Sequence, residues 1–120
     1  MSTIYYSENF PELKRSQYLY QLTKNRKLTD IPHKHDFYEI VYILNGTVAH
    51  CIDGKPHDMR ANDFCLLAPR NEHYFCAQTR DAEVFSLSVS REKYAAAAAL
   101  TETDVRHGEI LCAGSGSVAQ

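Results

Sequence analysis

Four residues of this chain, His33, His35, Glu39 and His73, carry the side chains from which a metal site or a polar binding floor is built. Imidazole nitrogen and carboxylate oxygen are donors that Zn, Ni, Fe and Mn accept. Three N donors and one O donor leave coordination positions open for a guest. Without an ion, the same four groups can hydrogen-bond a ligand or one another, and both readings stand. Phe37 lies between the second histidine and the carboxylate and adds an aromatic face. The candidate metal ligands are therefore His33, His35, Glu39 and His73, the candidate ligand-binding residues are these and Phe37, and no catalytic residue is assigned.

Spacing decides whether such groups can meet. Along a strand rising ~3.3 Å per residue, His33 and His35 stand ~6.6 Å apart on one face, within reach of a common ion. Glu39 would lie ~13 Å beyond His35 on a straight strand, so the site requires a bulge or bend between Asp36 and Tyr38. His73 must arrive from a distant strand.

The stretch His33 to Leu44 alternates as a strand does. His33, His35, Phe37, Glu39, Val41 and Ile43 share one parity, and the even positions from Tyr38 onward are also mostly apolar, which predicts a strand covered on both faces. Asn45-Gly46 and Asp53-Gly54 are hairpin signals, with strands at 47–52 and 55–60. Asn62 suits a left-handed turn; 64–68 is a short apolar strand ended by Pro69; 73–78 and 83–89 are strands, the latter with Phe85, Leu87 and Val89 on one face. Upstream, 1–16 reads as a polar, aperiodic arm, 16–22 as a first strand and 24–27 as a charged loop. Downstream, Ser90 caps a helix over 90–103 whose five consecutive alanines favour it, 108–112 can add a strand, and 113–120 reads as a frayed tail. Short strands at close spacing followed by one helix predict a single all-β domain over 1–120, an antiparallel barrel or jelly roll with a C-terminal α-helix.

Composition narrows the classes. In 120 residues the net charge is −2 and the pI near 6.3, which leaves no basic footprint for nucleic acid. No apolar run approaches the roughly 18 residues of a membrane span, and the opening residues lack a signal peptide, so a cytoplasmic place is expected. The four cysteines, at 51, 65, 76 and 112, have no metal-type spacing and read as small buried hydrophobes. His50 and His57 read as surface or internally satisfied histidines and His107 as a solvated one. Phe37, Tyr38, Tyr42 and Tyr74 read as core aromatics that could also stack on a guest.

His33-x-His35-x3-Glu39-x6-Gly46 resembles the first motif of the cupin superfamily, double-stranded β-helix barrels that in many members hold a divalent metal through two His, a Glu and a later His. Pro69-Arg70-Asn71-Glu72-His73 falls where cupins carry the second motif, with Asn71 in place of its usual Gly. Lys27 stands where cupins often have a Gly before the first His, and Ala77 where they often have Asn. The shortened Pro-x3-His form, and the run from His33 to Phe75 followed by FSLSVSREKY, is similar to the N-terminal sensor domains of AraC/XylS-family transcription regulators. The resemblance implies a cupin double-stranded β-helix domain that binds a small-molecule effector such as a sugar or sugar derivative and forms a homodimer. It implies contact with DNA only through a helix-turn-helix region that this chain does not contain. Two alternatives remain at this stage: a small metal-dependent cupin enzyme, an isomerase or dioxygenase, and a purely structural dimerisation module.

Overall fold

The computed structural model describes residues 3–24, 31–101, 110–112 and 117–118. The predicted charged loop beyond Lys24 and His107 lie outside them. Two sheets face each other. One has the order β1 (Thr3–Tyr5), β3 (His33–His35), β8 (His73–Ala77), β5 (Thr47–Ile52), β6 (Lys55–Arg60). The other runs β11 (Ser117–Val118), β10 (Ile110–Cys112), β7 (Asp63–Leu67), β4 (Tyr38–Asn45), β9 (Glu83–Val89), β2 (Tyr18–Lys24). Pro56 is accommodated because β6 is an edge strand, where a missing N–H leaves no ladder bond unmade.

Odd residues of β4 and even residues of β5 point between the sheets. Val41, Ile43, Val48, Ile52, Met59, Leu67 and Val84 form a closed apolar core with Cys65 and Phe75, each large side chain contributing on the order of 1.5–3 kcal/mol. The predicted strand over 33–44 is in fact two. The chain leaves one sheet after His35, bends at Asp36 and Phe37, and enters the other at Tyr38. Nor is β4 enclosed on both faces: Ile40 and Tyr42 are half-buried and Leu44 is exposed, so the even positions form the outer surface of the barrel.

Further expectations are corrected. Asp53-Gly54 is a hairpin turn, both residues at positive φ between the paired strands β5 and β6. Asn45-Gly46 is not: it joins β4 to β5 in the opposite sheet, and only Gly46 is left-handed (φ 73°). A Cβ at Gly46 would sit 2.9 Å from the Ala82 Cα, so glycine is required there for space as well as for φ. On β9 Phe85, Leu87 and Val89 share one face as the alternation predicts, and it is the outer one, while Val84, Ser86 and Ser88 point inward. Residues 1–16 are no aperiodic arm. They hold β1, a 3-10 turn at Ser7–Asn9 and α1 (Pro11–Ser16), which opens on a proline, buries Leu13 completely and ends where Gln17 turns left-handed (φ 71°). Of the predicted tail, Ser117 and Val118 pair with β10. Cys76 is exposed and Cys51 half-buried, so only Cys65 of these three is a core cysteine.

The helix after β9 is α2 (Arg91–Thr101), and the last two residues of the predicted span lie outside the described residues. Ser90 caps it, its Oγ accepting from the Lys93 N–H at 3.1 Å. Tyr94 stacks on Tyr38 at 3.8 Å, which seats the first turn on the outer face of the barrel. Arg91 reaches back to donate from Nε to the Asp36 carbonyl at 2.9 Å. Asp36 meanwhile accepts the Ser7 N–H on its carboxylate at 2.6 Å and donates its own N–H to the Tyr5 carbonyl.

Candidate functional site

The bend at Asp36 brings the four sequence-predicted donors together. His33 and His73 are direct partners in the β3–β8 pairing, their rings 4.3 Å apart. His35 follows on the same face of β3, its Nε2 at 3.1 Å from the His73 Nε2. Glu39, one residue into β4, then points back across the gap: its Oε1 lies 2.7 Å from His35 Nε2 and 3.3 Å from His73 Nε2. A ligand nitrogen from each of His33, His35 and His73 lies within 4.8 Å of the others, and all three residues are buried. Phe37 stacks against the His35 ring at 4.6 Å, so all five predicted residues meet.

His73 is delivered by a loop with no freedom to wander. Buried Asn71 accepts the Ala68 N–H at 2.8 Å and donates to the Asp53 carboxylate at 2.7 Å, and that carboxylate also takes the Glu72 N–H at 2.9 Å. The turn residue Asp53 of the β5–β6 hairpin thus fixes the entry to β8 through Asn71 and Glu72.

Electrostatically the site is a confined set of bases. Burial, and next the neighbouring His73, lower the pKa of His33 to about 4, against a backbone contact from Nδ1 to the Ile31 carbonyl at 2.9 Å that raises it. Burial raises the Glu39 carboxyl, but the adjacent His35 and His73 outweigh it and hold the group well below the usual carboxylate range. The Glu39 Oε1 is buried and, despite its two close imidazoles, meets hydrogen-bond geometry with neither; the His35 Nδ1 is likewise buried and unpartnered. Crowded nitrogen and carboxylate lone pairs with orphaned atoms among them are a donor set that fits a divalent cation.

The site opens on a cavity of about 250 Å³. Its floor is His33, His35, Glu39 and His73. One wall is aromatic, from Tyr5, Phe10, Phe37 and Phe75, and the opposite one, from β2 and β9, carries Gln21, Thr23, Ser86 and Ser88. These polar wall residues were not singled out in the sequence because none is a ligand type; the alternation Ser86-x-Ser88 was the available signal. Tyr38, Tyr42 and Tyr74 do not line the cavity. Of the two expectations for His50, surface or internally satisfied, the second holds: it is fully buried, with its Nε2 2.7 Å from the His73 Nδ1.

The family model described as the AraC-like ligand binding domain matches residues 12–117. The chain belongs to this family. Among curated relatives, the HTH-type transcriptional activator RhaS of Escherichia coli O81 is 36% identical over 47 residues, 38% of this chain and 17% of that protein. The match therefore spans about a sixth of the activator's length. Among solved structures, KdgF from a Halomonas species superposes with TM-score 0.54 at 18% identity, over 65% of this chain and 75% of that one. A cupin protein from Bacteroides fragilis gives 0.51 at 21%, over 62% and 64%. A predicted oxalate decarboxylase from Thermotoga maritima gives 0.51 at 21%, over 66% and 72%. At these identities the likeness establishes the fold, a cupin double-stranded β-helix. Among the described residues, no helix is long and apolar enough to cross a membrane.

Proposed function

We propose that this chain is the effector-sensing, dimerising domain of a bacterial AraC-type transcription regulator, working in the cytoplasm and acting on DNA through a helix-turn-helix region of a longer protein. The observation that carries the reading is the meeting of His33, His35, Glu39 and His73 on the floor of a cavity with one aromatic and one hydroxyl-bearing wall. A flat apolar face opposite a row of hydroxyl and amide groups suits a small polyhydroxylated guest such as a sugar or sugar derivative, whose C–H faces pack on Phe37 while its hydroxyls pair with Gln21, Ser86 and Ser88. A divalent metal held by His33, His35, Glu39 and His73 would supply open coordination positions to guest oxygens.

The test is a thermal-shift panel of sugars, sugar acids and small organic acids, with and without Zn, Ni, Fe or Mn. A guest at a hundredfold excess over its Kd stabilises by about 2.7 kcal/mol, a rise on the order of 10 °C in a domain of this size. A panel without any shift, from a protein that also stays monomeric, would overturn the sensor reading. The open positions of a three-His, one-carboxylate set also favour a second reading, a metal-dependent cupin enzyme of the isomerase or dioxygenase kind. Turnover of a bound guest by the ion-loaded protein, abolished by Glu39→Gln, distinguishes it from sensing.

A further inference from the structure

Behind His73, on the side away from the cavity, lies a histidine that nothing in the site description uses. His50 sits on β5 between Val48 and Ile52, in an inward row that is otherwise apolar, and is fully buried with its ring stacked on Phe75 at 4.2 Å. An imidazole in that place needs a reason, because burying its polar atoms costs free energy unless each is paired. Both nitrogens are paired, and only to side chains: Nε2 lies 2.7 Å from His73 Nδ1 and Nδ1 lies 3.6 Å from Cys65 Sγ. Fully buried against Phe75 and paired to an imidazole and a thiol with no carboxylate among its hydrogen-bond partners, the ring is neutral, one nitrogen a donor and the other an acceptor. Burial also pushes the Cys65 thiol up, so no thiolate forms there.

The direction of this line of protons follows from its cavity end. His35 Nε2 and His73 Nε2 share one hydrogen bond at 3.1 Å, so one of them carries the proton and the other a lone pair. Glu39 Oε1 is 2.7 Å from the first and 3.3 Å from the second. A bare lone pair is repelled most by the nearer carboxylate oxygen, which places the proton on His35 Nε2. His73 Nε2 then accepts, the proton of His73 sits on Nδ1, and that N–H donates to His50 Nε2. His50 Nδ1–H is left facing the Cys65 sulfur, a weak acceptor at ordinary range for one. The unpartnered His35 Nδ1 agrees: it bears a lone pair, and buried acceptors are orphaned more readily than donors.

We infer that His50, backed by Cys65, is a positioning residue: it takes the Nδ1 proton of His73 and so keeps the His73 Nε2 lone pair turned into the cavity, toward a divalent cation or a donor on the guest. Histidines that ligate metals nearly always donate their other nitrogen to a carbonyl, carboxylate or water, as His33 does to the Ile31 carbonyl. For His73 the acceptor is a second imidazole embedded in the core. The cation half of the inference rests on the metal reading proposed above; the tautomer half does not.

The experiment is nitrogen-15 NMR of the histidine rings on wild-type, His50→Leu and His50→Gln proteins, followed by Ni and Zn titration of each. In the metal-free wild type His73 is expected with its proton on Nδ1. His50→Leu, which fills the space without an acceptor, should move that proton to Nε2 and weaken ion binding by about 10–100-fold. His50→Gln places a carbonyl oxygen near the lost nitrogen and should restore both. A wild-type His73 protonated on Nε2 overturns the inference whether or not the variants fold. So does a folded His50→Leu protein that keeps the Nδ1 tautomer and binds ion within about threefold of wild type. A wild type with the Nδ1 tautomer that binds no ion removes the metal reading and leaves the positioning of His73 standing.

Discussion

The two ends of the barrel interior are filled by one alternation with opposite chemistry. Toward Gly46, the inward residues of β4 and β5 are Val41, Ile43 and Val48, packed without polar atoms. Toward Asp36, the row of β4 reaches Glu39, that of β5 sets His50 between Val48 and Ile52, and the neighbouring strands add His33, His35 and His73. Pleat geometry treats the ends alike; only side-chain identity separates a core from a site. One end is expected to hold the fold and the other to spend stability on unpaired polar atoms, a division that substitution can break or sharpen.

The largest effect is expected from Ile43→Ala, a cavity in the fully buried apolar end, which should cost about 2–5 kcal/mol by denaturant unfolding while guest and ion binding persist. Gly46→Ala forces a left-handed alanine against the Ala82 backbone and should cost about 1–3 kcal/mol, read from the same transition. At the polar end the cost is smaller. Glu39→Gln removes a carboxylate that His35 and His73 hold ionised and should cost about 1 kcal/mol, while calorimetry shows ion affinity reduced at least about tenfold. Loss of several kcal/mol in that variant would show that the site supports the fold after all.

Acid should sharpen the same contrast. His33 binds a proton near 6.5 when unfolded and near 4 when folded, so between those values the unfolded chain holds more protons and stability rises with pH. His50 shifts in the same direction. The contribution is complete above about 6.5 and is lost as pH falls toward 4, with the depressed Glu39 carboxyl adding its own loss below the usual carboxylate range. A melting temperature flat above pH 7 and falling below about 6.5 is expected; a flat profile from 7 to 4 would contradict it, and Ile43→Ala should shift that profile without changing its shape. The smallest effect is expected from Ser88→Ala, which deletes one hydroxyl of the cavity wall and should change guest affinity by about 1 kcal/mol without moving the unfolding transition beyond a few tenths.

The donor set was legible because ligand chemistry is written in residue types, and the need for a bend before Tyr38 followed from strand rise alone. Its nature was less so: a switch between sheets at Asp36 depends on the partners of each half, β8 for one and β7 and β9 for the other, all of which lie far along the chain. Asn45-Gly46 looks locally like Asp53-Gly54, yet one crosses between sheets and the other returns within a sheet, a difference set by long-range pairing. Which face of β9 turns inward was not legible, because Phe85, Leu87 and Val89 are its more apolar side and nothing local says that the cavity wall needs serines. His50 was underrated for the same reason, since its partners Cys65 and His73 are 15 and 23 positions away.

Asp36 gives the bend a second consequence. Its carboxylate and N–H are engaged by the segment that bears Tyr5, its carbonyl by the first residue of α2, and its peptide neighbour is His35. Floor, mouth and outgoing helix are thereby spliced at a single peptide unit. Any shift of the His35 backbone is felt by Arg91 through one amino acid, with no intervening stretch of chain to absorb it.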